Sequence, residues 1–274
     1  MTAFEVARRL VDEEDPQSGD VLAKIEASIQ TFGALEQKVE QAQIASSDQT
    51  DFLAYFVPVA NRNGLAPAVI CISREGETAA TLLGRLLPTV VGRGISVLVV
   101  SHDDVSSRWR GQSKILLSGC LDYLLVRPDV DTTRIGIYGE GLSASLATDF
   151  AVSDRRVAAA SCDGGLWNWT RTLASVGWMT RTADRSGEDV LSSRRLRLIR
   201  QLRCPVLVVA GGRNIVSAAE AIKLQADCTA ARIDLEVAIP RIVRTPAGEI
   251  ENFVTSDESI FGWLRHKLTR NLAP

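Results

Sequence analysis

No apolar run in these 274 residues approaches the roughly 20 that a bilayer-spanning helix needs, so no membrane partner is expected. No CxxC spacing occurs among the five cysteines, Cys71, Cys120, Cys162, Cys204 and Cys228. Their scatter and odd number argue against a disulfide scaffold and a zinc site, and fit a reducing compartment. No basic tract is interleaved with aromatics, and a net charge of −2 gives no reason to expect nucleic acid as a partner. The one Arg-rich stretch, Ser192 to Arg203, reads as the solvated face of a helix. The opening MTAFEVARRLVDEEDP is acidic and lacks the apolar core of a signal peptide, so a cytoplasmic location is expected. Repeats and low-complexity segments are also missing. What is present, 46% hydrophobic and 23% charged residues, is the composition of an ordinary globular chain, long enough for one large α/β domain.

Residues 1–46 read as a helical segment. Phe4, Ala7, Leu10 and Val11 form a short amphipathic piece ending near Asp15-Pro16. Asp20 is placed to cap a longer helix, in which Val21, Leu22, Ile25, Ile29, Phe32, Leu35 and Val39 recur at helical spacing. Such a stripe docks on its own core or mediates assembly, a homo-oligomer included. After Ser46-Ser47-Asp48 the rhythm changes to short β-branched runs alternating with helical stretches, the signature of βαβ units and a largely parallel sheet. Strands are predicted at Phe52 to Val57 (an edge strand), Ala68 to Ile72, Ile95 to Val100, Arg134 to Tyr138, Val157 to Ser161, Val206 to Ala210 and Leu235 to Ile239. Helices are predicted around Ala79 to Leu87, Ile115 to Leu125, Leu142 to Phe150, Ser217 to Gln225 and Ser259 to Leu268. The domain proper spans 47–274, and residues 164–203 break its rhythm. That stretch holds Trp167, Trp169 and Trp178, three of the five tryptophans, either as a lid-like insertion or as packing for inserted helices.

The run from Pro128-Asp129-Val130-Asp131 through Arg134-Ile135-Gly136-Ile137-Tyr138 to Gly139-Glu140-Gly141-Leu142-Ser143-Ala144-Ser145 carries a likeness. Connector, hydrophobic strand, small-residue turn and helix resemble the nucleophile elbow of the α/β-hydrolases. The likeness is strongest to the dienelactone-hydrolase and FrsA-like branch, over roughly residues 50 to 270. It implies an α/β-hydrolase fold, with a mostly parallel central sheet flanked by helices, the N-terminal helical segment and a helical lid-like insertion.

In that family the elbow is G-x-S-x-G and its central serine is the nucleophile. Here Gly141 stands at that position, and glycine keeps the turn but cannot attack a carbonyl. Ser143 falls on the family's last glycine and should point into helix packing. The acid is expected after the strand Val206 to Ala210, where Gly211-Gly212-Arg213-Asn214 puts Asn214 in its place. An amide permits the wrong histidine tautomer and cannot stabilise an imidazolium. The loop 240–253 should bring the histidine and has none. The chain's two histidines are His266, read as a surface residue of the closing helix, and His102, at a strand end on the ligand-binding rim. The loop expected to donate to an oxyanion reads Ser73-Arg74-Glu75-Gly76-Glu77, polar and charged.

Two functions follow as expectations. The first is a pseudo-hydrolase with a degenerate triad, binding a small polar ligand or a partner protein in a retained pocket lined by Ser73, Arg74, Glu75, His102, Glu140, Gly141, Leu142, Asp163, Asn214 and Glu249. The second is a non-canonical enzyme of lyase, cyclase or isomerase type. It would work by acid–base catalysis through Glu140, Asp163, His102, Glu75 or Glu249, with Glu140 and Asp163 facing the pocket mouth. Gly139-Glu140-Gly141 has the form GxG, but Ala144 replaces a third glycine, so no nucleotide cofactor is implied, and no metal.

Overall fold

A computed structural model describes residues 23–24, 27, 39–45, 51–59, 64–106, 112–164, 201–210, 218–239, 242–245, 248–251 and 253–269. Ten strands and six helices are named here in chain order. The strands are β1 (Glu40–Ile44), β2 (Phe52–Val57), β3 (Ala66–Ile72), β4 (Ser96–Val100), β5 (Val130–Glu140), β6 (Val157–Asp163), β7 (Val206–Val209), β8 (Leu235–Ala238), β9 (Ile242–Thr245) and β10 (Gly248–Glu251). The helices are α1 (Ala79–Val90), α2 (His102–Val105), α3 (Gln112–Leu125), α4 (Ser143–Ser153), α5 (Ala218–Ala230) and α6 (Phe253–Thr269).

Eight strands form one sheet in the order β1-β2-β4-β3-β5-β6-β7-β8. β2 runs antiparallel to both β1 and β4, and every other pairing is parallel. β3, β4 and β7 are buried along their whole length because helices cover both faces. In β3, Ala68, Ile70 and Ile72 pack with the α3 and α4 layer, while Val69 and Cys71 pack with α1 and α6. Strand order, parallel core and flanking helices make this an α/β-hydrolase fold, as the sequence implied.

Two predicted elements are corrected. The helical reading of residues 1–46 fails at 40–44, which form edge strand β1. There Gln41 and Gln43 face solvent while Ala42 and Ile44 are buried, a period of two rather than 3.6. β1 therefore takes the edge predicted for Phe52 to Val57, and β2 lies one place inside. The predicted 240–253 loop instead holds a second, two-stranded antiparallel sheet, β9 with β10. Of the predicted helix Asp20 to Val39, Ala23, Lys24 and Ala27 are helical and exposed, and most of the remainder lies outside the described residues. The insertion, with its three tryptophans, also lies outside them, apart from its ends.

No helix among the described residues is long and apolar enough to cross a membrane. All five cysteines are buried and free. Burial pushes every thiol up, that of Cys162 to about 12, so none is primed as a nucleophile.

Candidate functional site

β3, β4, β5 and β6 end on one rim and deliver Ser73, His102, Gly141 and Asp163 to it. Two backbone bonds lock the rim: Ser73 N donates to Val100 O at 3.0 Å, and Gly141 N donates to Asp163 O at 2.8 Å. Between β5 and α4 the chain turns through Gly141 at φ +62°, the left-handed region that favours glycine. The turn is so tight that a Cβ on Gly139 would lie 2.6 Å from the carbonyl carbon of Ser143. The elbow's backbone is thus present, with a hydrogen atom where a side chain would project.

Glu75 occupies the space above Gly141. Its Oε2 accepts from Leu142 N at 3.2 Å and would meet a Cβ on Gly141 at 2.8 Å. In active hydrolases the amide after the nucleophile is an oxyanion donor; here an intrinsic carboxylate accepts its hydrogen.

Ser143 is fully buried, and its hydroxyl donates to Ser73 O at 2.6 Å. A hydroxyl has one proton. The 2.6 Å contact between Ser143 Oγ and His102 Nδ1 must therefore be donated by the imidazole, which fixes His102 with its proton on Nδ1 and a lone pair on Nε2. That is opposite to what a nucleophile and its base require. Ser73 Oγ completes the knot, donating to Glu77 O at 2.6 Å and accepting from His102 N at 3.0 Å. Burial holds His102 below the ordinary histidine value, against the opposing pull of the Glu75 and Asp103 carboxylates. Ser145, also buried, donates to Leu142 O at 2.7 Å.

Glu140 departs from expectation. It does not face the pocket mouth but is buried on the face that β5 turns toward α1 and α6, two residues on from Tyr138. Arg85 of α1 makes a very short hydrogen bond to Glu140 Oε2, and Tyr138 donates to the same oxygen at 3.3 Å. Arg85 Nη1 also forks onto Asp257 of α6 at 3.0 and 2.9 Å, and its Nε lies 3.8 Å from Glu77. Arg74 sits 3.8 Å from Glu77 and 4.0 Å from Glu140. Two guanidiniums thus face three carboxylates. Burial first, then Glu140 and Glu77, raise Asp257 to about 6 against the pull of Arg85. Arg85, Tyr138 and Asp257 are the residues sequence reasoning missed, and Glu77 reads from the sequence only as part of the polar loop after β3. One signal was legible, a lone charge inside the apolar stripe of Leu82, Leu83, Leu86 and Leu87.

Asp163 is half-buried at the end of β6. Asn214 and the side chain of Glu249, which is on β10, lie outside the described residues. His266 is exposed on α6, as read. No group of three or more potential metal ligands occurs among the described residues. A groove of about 410 Å³ opens away from the elbow, between α3 and α4, lined by residues that include Lys114, Ile115, Asp122 and Phe150.

This architecture is that of the α/β-hydrolases. Among solved structures, the chain is similar to the 2,6-dihydroxy-pseudo-oxynicotine hydrolase, with a TM-score of 0.67 and 17% identity over 98% of this chain and 80% of that one. It is also similar to the Pyrococcus furiosus esterase Pf2001, with a TM-score of 0.61 and 14% identity over 86% of this chain and 94% of the esterase. A dienelactone-hydrolase-like protein from Klebsiella pneumoniae matches at a TM-score of 0.51 and 14% identity, covering 73% of this chain and 84% of that one. At such identities the likeness carries the fold, while the chemistry must be argued from the site. No protein-family model and no curated protein matches the sequence.

Proposed function

We propose that this chain is a non-hydrolytic protein of the α/β-hydrolase fold, a pseudo-hydrolase that binds a small polar ligand or a partner protein at the elbow without turning over esters or peptides. The observation that carries this reading is the Glu75 carboxylate, lodged against Gly141 and bonded to Leu142 N. It fills the place where a nucleophile and an oxyanion would meet. The histidine-free segment 240–253 and Asn214 agree with it.

The test is labelling with a fluorophosphonate and turnover of a short-chain nitrophenyl ester, for wild type and Gly141→Ser. Both proteins should stay silent. In Gly141→Ser the new side chain meets the flexible end of Glu75 at a backbone φ of +62°, and His102 is held by its bond to Ser143 rather than to position 141. Labelling of the wild type would overturn the reading, and mapping it to Ser143 would identify the His102 contact as a working dyad.

A second reading has its own support. A neutral His102 with an open Nε2, near the charge of Glu75, is the equipment of an acid–base enzyme of lyase, cyclase or isomerase type. Turnover that survives in Gly141→Ala but is lost in His102→Gln would favour it.

A further inference from the structure

The elbow of a working hydrolase offers N–H donors to a developing oxyanion. Here the polarity of the groups that converge on it is reversed. Glu75 closes on Leu142 N from the loop after β3, while His102 closes on Ser143 Oγ from the end of β4. Leu142 and Ser143 are consecutive, so the two side chains flank the first turn of α4. Glu75 is exposed and brings a carboxylate, an acceptor only. The ring proton of His102 is committed to Ser143, because Ser143 gives its own proton to Ser73 O. Nε2, the other ring nitrogen, is therefore an acceptor as well. Arg74 also borders the elbow, its Cβ 3.5 Å from a Cβ placed on Gly141, but its guanidinium lies 3.8 Å from Glu77 and 4.0 Å from Glu140, so its charge is already matched by carboxylates.

We propose that this elbow binds an organic ammonium ion, with Glu75 as counter-ion and His102 Nε2 as a second hydrogen-bond acceptor. The inference rests on the reading of the elbow as a binding site and names its ligand class. An ammonium group has donors and no acceptors, which complements both side chains. A carboxylate ligand would face two acceptors and the Glu75 charge.

The test uses the full chain and its two histidines, observed by NMR through their ring protons. His102 reports the elbow, and exposed His266 on α6 is the internal reference. His102→Asn assigns the signals. At pH 7.5 and constant ionic strength, n-butylammonium chloride should move the His102 resonance saturably and leave His266 in place, while sodium butyrate should produce no saturable shift. Glu75→Gln should weaken the ammonium response about tenfold, the effect of losing one charge-assisted hydrogen bond. Glu75 is exposed, so this variant keeps the fold. A response to butyrate rather than butylammonium, no response to either, or an unchanged response in Glu75→Gln would each overturn the proposal. Fluorophosphonate labelling of Ser143 would overturn the non-hydrolytic reading instead. The two failures are therefore distinguishable.

Discussion

Replacing Arg85 by methionine keeps an unbranched side chain in the groove between α1 and α6 but deletes the guanidinium that Glu77, Glu140 and Asp257 share. The Arg85 side chain is 12% exposed, that of Glu140 10% and that of Asp257 5%. Water can compensate little at such depth, so the cost is that of leaving buried charge unpaired, about 3–5 kcal/mol. Spread over a domain of this size, that corresponds to a fall in Tm of about 10 °C. Thermal unfolding followed by circular dichroism at pH 7.5 measures it directly. The charge argument makes a second demand, because a proton can replace the missing cation. Asp257 already sits at about 6, and removing Arg85, which pulls it down, raises it further. At pH 5 the Arg85→Met variant should therefore recover a substantial part of the loss. A deficit below about 1 kcal/mol at pH 7.5 would show that the cluster contributes no more than a surface ion pair. A deficit of equal size at both pH values would show that the lost packing of the arginine stem, not its charge, set the cost.

The same cluster fixes a pH dependence. Asp257 has a folded value of about 6, above the ordinary 3.8, so the fold binds its proton more tightly than the unfolded chain does. Its contribution is fully present below 3.8 and is lost as pH rises through about 6. Asp257→Asn should flatten the stability profile between those limits and raise the plateau above pH 6 relative to other single changes in the cluster. Urea unfolding across that range checks it, and an unchanged slope would reject Asp257 as the titrating group. Ser143→Ala should cost about 1–3 kcal/mol, since it strands the His102 Nδ1–H and the Ser73 carbonyl, both of which it now satisfies. Denaturation measures that loss, and a stability equal to wild type would show that other partners take up both groups.

The parts of the fold that were legible are those whose local pattern and tertiary role agree. β3 and β4 read as strands because burial on both faces requires an unbroken apolar run, and those runs stand in the sequence as such, while β5 was legible only in its buried half from Ile135 on. β1 was lost because two periods meet at Val39-Glu40. The helical stripe before them extends naturally into Ala42, and only pairing with β2 decides for a period of two. The β9–β10 hairpin was lost because a triad template predicts a loop there, although Ile242-Val243 is a β-branched pair followed by a Pro-Ala-Gly turn signal.

The motif that pointed to the fold turns out to be scaffold. Arg127 of Arg127-Pro128-Asp129 bonds Asp129 at 2.9 Å, pairs with Glu40 of β1 and lies 4.3 Å from the centre of the Phe56 ring, clamping the edge of the sheet. Asp131 caps Thr133 N at 2.9 Å and holds Arg134. Such contacts serve the fold and touch nothing at the elbow, so they announce the architecture and say nothing of the reaction. The site obeys the opposite rule. The sequence places Glu75, His102 and Gly141 on one rim, but their roles follow from which hydrogen goes to which acceptor. That depends on Ser143, 41 residues from His102 and 70 from Ser73. Spacing along a chain cannot encode the direction of a hydrogen bond. Once the serine's single proton is seen to leave toward Ser73, the tautomer of His102 follows, and with it the acceptor character of the elbow.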